Sequence, residues 1–214
     1  QNEQLRTLNQ ELEQRVDART SELKSANEKL QRQYLKTIKV FSNLLELRGG
    51  HTAGHCRRVA ELARDIARTM GLDEAQVLQV FVGGLLHDIG LIGLPDKLIG
   101  RPVQRLDIEE TALYRQHPLS AEHSLLALDD MQPILPMLRA HHERFDGEGY
   151  PDKLAGAAIP LGARILAIAD TFDDLQHGAL VDAKLTAAQA RIVMRESRGT
   201  QFDPELLDVF LHIT

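Results

Sequence analysis

An all-α fold is what this sequence predicts, on three observations. Apolar residues recur at three- and four-residue spacings along most of its 214 residues. No stretch alternates with the period of two that marks a half-buried strand, and residues 1–48 contain neither Pro nor Gly. Apolar residues make up 43% of the chain and charged residues 26%, enough for one well-packed domain with an appendage.

Each element can be justified in chain order. Leu5, Leu8 and Leu12 follow a-d-a spacing, and after a four-residue step Val16, Leu23 and Leu30 recur at sevens. Such a step is a stutter, so residues 1–46 read as a coiled-coil helix with one register adjustment, pairing two copies of the chain as a homodimer. Gly49-Gly50 breaks the helical composition, and residues 47–214 form the second domain. There Val59, Leu62, Ala63, Ile66, Ala67 and Met70 share one helical face, and Val77, Leu78, Phe81, Leu85 and Leu86 share another. Ile134, Leu135 and Leu138 mark a third, and Ile165, Leu166, Ile168 and Ala169 a fourth. Thr186 and Asp203, the latter followed by Pro204, read as N-caps of two closing helices, and the Gly- and Pro-rich residues 145–160 form a loop.

Charge and cysteine content exclude whole classes of function. Residues 1–48 carry nine Lys and Arg against seven Asp and Glu, whereas residues 49–214 carry sixteen against twenty-four. So acidic a domain is a poor match for a nucleic-acid backbone, and a chain with no Trp, six Phe and three Tyr is poor in base-stacking side chains, so nucleic acid is not the expected partner. The single cysteine, Cys56, rules out an intrachain disulfide and multi-cysteine metal sites. Apolar runs only a few residues long suggest no membrane segment, nothing at the start reads as a signal peptide, and a cytoplasmic location is expected. The chain opens in mid-pattern without an initiator Met, which points to an upstream sensor or receiver domain beyond it.

The histidines carry the chemistry. His87-Asp88 ends an apolar helix, so an imidazole and a carboxylate arrive together at a buried end; burying them unpaired costs about 2–7 kcal/mol for a neutral group and more for a charge. A metal ion offsets that cost. His141-His142 is a second dyad, His51 and His55 lie four apart, and Asp170 ends another apolar stretch. Imidazoles mixed with carboxylates suit Zn, Fe, Mn, Co or Ni. Six or seven candidate ligands suggest two ions sharing a carboxylate, an arrangement suited to displacement at phosphorus. His-Glu-x-x-His, the Walker A loop and the dinucleotide fingerprint are all absent.

His87-Asp88-Ile-Gly and His141-His142-Glu-Arg-Phe-Asp-Gly147-Glu-Gly149-Tyr150-Pro151, in this order, resemble the signatures of HD-GYP domains. These are bacterial HD-type metal-dependent phosphohydrolases, and His117-Pro118, Ala169-Asp170-x-Phe-Asp173 and Gly199 to Pro204 extend the resemblance. Leu12 to Leu23 also resembles the signalling helices that join bacterial sensor and output domains. The resemblance implies an HD-type helical bundle that hydrolyses cyclic di-GMP to linear pGpG or GMP through a metal-bridging hydroxide. It implies that Asp88 bridges two ions, iron or manganese, with His55, His87 and Asp170 on one side and His117, His141 and His142 on the other. His87 and Asp88 would be the catalytic pair, His51 would open a third metal site, and Asp173 and Arg144 would face substrate. Gly147, Gly149, Tyr150 and Pro151 would shape the signature loop, whose surface also takes partner proteins in the family. His123, His177 and His212 match no ligand position.

The departures concern the substrate side. The family places Lys where this chain has Leu91, Gly where this chain has Ser120, and two basic residues where this chain has Ala179 and Asp182; this chain also reads Asp174-Leu175-Gln176 where the family reads Ala-Leu-Thr. A lost charge-assisted contact is worth about 1.5–3 kcal/mol. Hydrolysis of cyclic di-GMP or its linear product is therefore expected at reduced rate, with Arg144 and Lys97 as basic residues available in compensation. Two alternatives stay open: a degenerate domain that keeps metals and acts as a nucleotide sensor or interaction module, and a hydrolase of a different nucleotide.

Overall fold

The Pro- and Gly-free opening folds as one helix, α1 (Asn2–Gly49). A computed structural model describes residues 2–49, 54–98, 101, 103–177 and 184–214, and all of the regular structure in them is helical apart from an isolated bridge between Arg198 and Phe202. Two compact units divide the chain between Ile38 and Lys39, within α1 and ahead of the break expected at residues 46 and 47. In the first unit Leu5, Leu8, Leu12, Val16, Leu23 and Leu30 are all exposed.

The reason for the earlier boundary lies in the last turns of α1. Ser42 and Leu45 are buried in the second unit, while Val40, Phe41, Leu44 and Leu47 stay exposed on the other side. Glu46 accepts hydrogen bonds from the backbone N–H groups of Gly54 (2.6 Å) and Cys56 (2.9 Å). These flank the first residue of α2 (His55–Thr69), whose N-cap Gly54 has no side chain to offer. A carboxylate from outside thus caps the helix that begins with a candidate ligand.

The centre of the second unit is α2 packed against α3 (Glu74–Leu86) and α7 (Leu161–His177). Val59, Ala60, Ala63, Ile66 and Ala67 of α2 are fully buried, as are Ile165, Leu166, Ile168 and Ala169 of α7. Leu78, expected on the core face of α3, is 39% exposed. The stretch Glu74–Gly93 is long and apolar enough to cross a membrane, contrary to the sequence expectation, but 67% of it is buried inside the protein and it includes His87 and Asp88. Asp73 with Gln76 caps α3, and Asp107 with Glu110 caps α4 (Ile108–Tyr114), each a reciprocal capping box. Next come α5 (His117–Leu125), α6 (Leu135–Ala140), α8 (Ala187–Glu196) and α9 (Pro204–Ile213). Thr186 and Asp203 cap the last two as predicted. Residues 145–160 are irregular except for one 3₁₀ turn at Gly156–Ala158.

Glu46→Ala leaves the first-turn N–H groups of α2 without their cap. A loss of about 1–3 kcal/mol is expected in urea unfolding, with faster amide exchange at Cys56 than in the unsubstituted chain.

Candidate metal centre

Helix ends build this site. His87 is the C-cap of α3 and donates its Nδ1–H to the carbonyl of Gly84 (2.8 Å). His141 is the C-cap of α6 and donates to Leu138 (2.6 Å), and His117 opens α5 and donates to Tyr114 at the end of α4 (2.8 Å). Carbonyls near helix termini lack intrahelical partners, so each acceptor is available for this use. The bond fixes the proton on Nδ1 and turns the Nε2 lone pair inward. His55, at the start of α2, is held in the same way by Asp173, its Nδ1 lying 2.8 Å from Oδ2.

The Nε2 atoms then converge. His55, His87 and Asp170 form one group and His117, His141 and His142 another, with the ligand atoms of each group within 4.8 Å of one another. Nε2–Nε2 separations are 3.4 Å for His55–His87, 3.4 Å for His117–His141 and 3.1 Å for His117–His142. Asp170 Oδ1 lies 3.3 Å and 3.5 Å from the Nε2 atoms of His55 and His87. Asp88 spans the two groups. Its Oδ2 is 3.3 Å from His87 Nε2 and 3.7 Å from His55 Nε2, while its Oδ1 is 3.7 Å from His117 Nε2. Gly90 permits this reach: a Cβ there would meet the His117 carbonyl oxygen at 1.9 Å, so only glycine lets the turn Ile89–Gly93 press against α5. Asp170, expected at a helix end, lies inside α7.

The lone pairs of His117, His141 and His142 face one another with no proton between them, and in the other group the imidazoles of His55 and His87 meet the carboxylate of Asp170; both arrangements fit a cation. The donors fit it too: three protein ligands on each side plus a shared carboxylate make two four-donor sets of imidazole and carboxylate, suited to transition metals.

Electrostatics separate the two groups. Burial, reinforced by neighbouring imidazoles, pushes His117, His141 and His142 each down to about 3, so this group is neutral. Burial acts against charge at His55 and His87 as well, but carboxylates outweigh it. Asp170 and Asp173 raise His55 well above its ordinary value, and Asp88 and Asp170 raise His87 to about 9. Asp170, despite burial, is held well below the carboxylate range by the same two imidazoles. An entering ion must therefore displace protons from His55 and His87. Since the raised His87 keeps its proton until about pH 9, Mn(II) affinity should climb between pH 6.5 and 9, by up to about tenfold per unit for each proton displaced. Calorimetry in buffers of different ionisation enthalpy reads that release directly; equal heats and a flat affinity would contradict it.

Several expected roles change. Asp173, assigned to substrate, is buried and fully engaged, holding His55 and accepting two hydrogen bonds from Arg58 at 2.6 Å and 2.9 Å. Its carboxylate is thus occupied with the His55 ring and the Arg58 guanidinium. Arg58, one turn beyond His55 on α2, is a site residue that sequence reasoning missed. Asp174 is another: its Oδ1 lies 3.8 Å from His55 Nδ1, and burial together with Asp170 raises its pKa well above normal. His177, left without a role, donates to the Asp173 carbonyl at 2.8 Å. Arg144 is paired with Asp146 through bonds of 3.0 Å and 2.6 Å. Leu91 is 8% exposed and follows Asp88 within the same turn. Ser120 lies in α5 on an open surface groove shared with Leu119, Glu122 and Arg139.

The signature loop sits against the ligands. Tyr150 stacks on His142 with ring centroids 4.9 Å apart and planes 23° apart, and its bond to Pro151 is cis. Gly149 lets the loop fold back, since a Cβ there would lie 2.3 Å from the backbone nitrogen of Arg144. Gly147 turns the chain at φ 84°. His51, Ala179 and Asp182 lie outside the described residues.

The HD domain family profile matches residues 39–206. The chain belongs to the HD family. The chain is 32% identical over 210 residues to the cyclic di-GMP phosphodiesterase response regulator RpfG of Xanthomonas campestris, covering 97% of this chain and 55% of that protein. It is 33% identical over 176 residues to 3'3'-cGAMP-specific phosphodiesterase 2 of Vibrio cholerae, covering 80% and 33%. The HD chain thus spans about half of the first relative and a third of the second. Among solved structures, a cyclic GMP-AMP specific phosphodiesterase of V. cholerae superposes with a TM-score of 0.68 at 19% identity, covering 83% of this chain and 47% of that one. The HD domain of the Listeria monocytogenes phosphodiesterase PgpH in complex with cyclic-di-AMP gives 0.56 at 20%, covering 78% and 89%. The fold is the HD-type helical fold, and the motifs place the chain in the HD-GYP branch.

Asp173→Ala releases the His55 ring without removing a ligand. Mn(II) affinity should fall by about 10- to 100-fold in a competition titration, as loss of a group that orients a ligand does. Unchanged affinity would return Asp173 to the substrate side.

Proposed function

We propose that this HD-GYP domain is the catalytic portion of a metal-dependent phosphodiesterase that opens cyclic dinucleotides, cyclic di-GMP first among them, to linear pGpG and GMP. The observation that carries this reading is Asp88, whose two carboxylate oxygens face opposite imidazole groups. His55, His87 and Asp170 would hold one ion and His117, His141 and His142 a second, with Asp88 shared; iron or manganese suits this set. When bound, such ions act as Lewis acids on a phosphodiester and make water a nucleophile near neutral pH. The chain's own part is positional. Backbone carbonyls and the Asp173–Arg58 pair keep the ligand rings in one orientation, and burial keeps bulk water from the donors. Leu91 supplies no positive charge beside Asp88, which makes the turnover slow.

Residues 1–46 would pair two copies through the exposed leucine seam and carry the state of an upstream sensor or receiver domain to the catalytic unit. His51 would open a third metal position, and the surface around Tyr150 would take a partner protein.

The decisive experiment incubates cyclic di-GMP and 3'3'-cGAMP with protein loaded anaerobically with Fe(II) or Mn(II), separating products by chromatography. Linear dinucleotide should appear only with metal, and Asp88→Ala should lower the rate by more than about a hundredfold. No product from a fully loaded protein would turn the reading to a nucleotide sensor or interaction module. Deleting residues 1–38, which leaves the Glu46 cap in place, should give a monomer by light scattering; an unchanged dimer would refute the seam.

A further inference from the structure

The site as described has an unmet need. A cyclic dinucleotide carries two phosphodiester anions, and the metal pocket is walled by Asp88, Asp170, Asp173 and Asp174. Other arginines of this unit are already paired: Arg58 with Asp173, Arg139 with Glu122 and Asp152, Arg144 with Asp146, and Arg164 with Asp203. Arg115 differs. It makes no ion pair among the described residues, its side chain is exposed, and its guanidinium lies 5.1 Å from the centre of the Tyr150 ring.

That ring locates Arg115 relative to the metals. Among the six residues of the two ligand groups, His142 alone is partly exposed, so the pocket opens on its side. Tyr150 stacks on His142, and Arg115 lies against Tyr150, one ring away from a ligand at the mouth. The backbone there is anchored. Arg115 is the C-cap of α4, its N–H bonded to the Thr111 carbonyl, and the adjacent Tyr114 carbonyl fixes His117. A cation–π contact steadies a guanidinium while leaving its N–H groups free for an anion.

We infer that Arg115 is a substrate-binding residue, gripping the second phosphate of a dinucleotide whose first phosphate lies at the metals. The inference rests on the reading given under Proposed function and deepens it: a positive charge that Leu91 does not supply is provided from the signature-loop side, beside Tyr150. It selects ligands with two phosphates over those with one.

The test uses the full chain loaded with Mn(II), as Arg115→Gln, Arg115→Lys and the unsubstituted protein, with metal content checked by elemental analysis. Substrates are cyclic di-GMP and bis(p-nitrophenyl) phosphate, a diester with a single phosphate. Arg115→Gln should raise KM for cyclic di-GMP by about ten- to fiftyfold with kcat little changed, leave the simple diester unaffected, and be partly rescued in Arg115→Lys. Equal losses on both substrates, or none on either, would overturn the assignment. If the unsubstituted protein turns over neither substrate, the hydrolytic reading fails and calorimetric binding of cyclic di-GMP decides on Arg115: tenfold weaker binding in Arg115→Gln supports it. Equal binding, or no binding by either protein, removes it.

Discussion

The second unit is arranged around a repulsion that the polypeptide does not relieve by itself: the imidazole nitrogens of His117, His141 and His142 held lone pair to lone pair at 3.1–3.4 Å beside the Asp88 carboxylate. The backbone imposes it. The rings of His87, His117 and His141 are tied by Nδ1–H bonds to carbonyls at or near helix ends, so they are aimed by secondary structure and cannot rotate away without breaking those bonds. The helices in turn are held by the α2, α3 and α7 core, where small residues allow close packing. Polar groups gathered in a dry interior at this density are costly unless a cation compensates them.

The two halves of that cluster behave differently because their surroundings differ. Around His55 and His87 carboxylates dominate, so protons stand where an ion would sit; around His117, His141 and His142 there is burial and little counter-charge. Ions would therefore enter two unlike positions joined by one bridging residue, the first acidic and proton-filled, the second neutral and open toward Tyr150.

How much of this could be read from sequence follows the locality of each signal. His87-Asp88 and His141-His142 were legible because helix-end dyads are contiguous in the chain, and Thr186 and Asp203 because capping chemistry is local as well. The bond from Asp173 to His55 was not legible because its partner lies 118 residues away; spacing puts Asp173 one turn after Asp170 but says nothing of what it faces. Arg58 was missed for the same reason. The domain boundary fell early because Gly49-Gly50 marks a break in composition, whereas Ser42, Leu45 and Glu46 had already joined the core or capped α2. Asp170 looked like a helix end because apolar periodicity stops there, although α7 runs on to His177 with a polar, ligand-bearing face.

The use of main-chain carbonyls to aim the rings has a consequence for substitution. A carbonyl belongs to every residue type, so at positions 84, 114 and 138 the anchor itself does not depend on the side chain, although close packing fixes two of them on other grounds: a Cβ at Gly84 would lie 2.6 Å from Ala60 Cα, and Leu138 is fully buried. The exposed edge beside Tyr150 is different, since a side chain such as Arg115 is erased or replaced by a single substitution. The aim of the rings and the make-up of the rim thus depend on different things, the first on where helices end and the second on individual side chains.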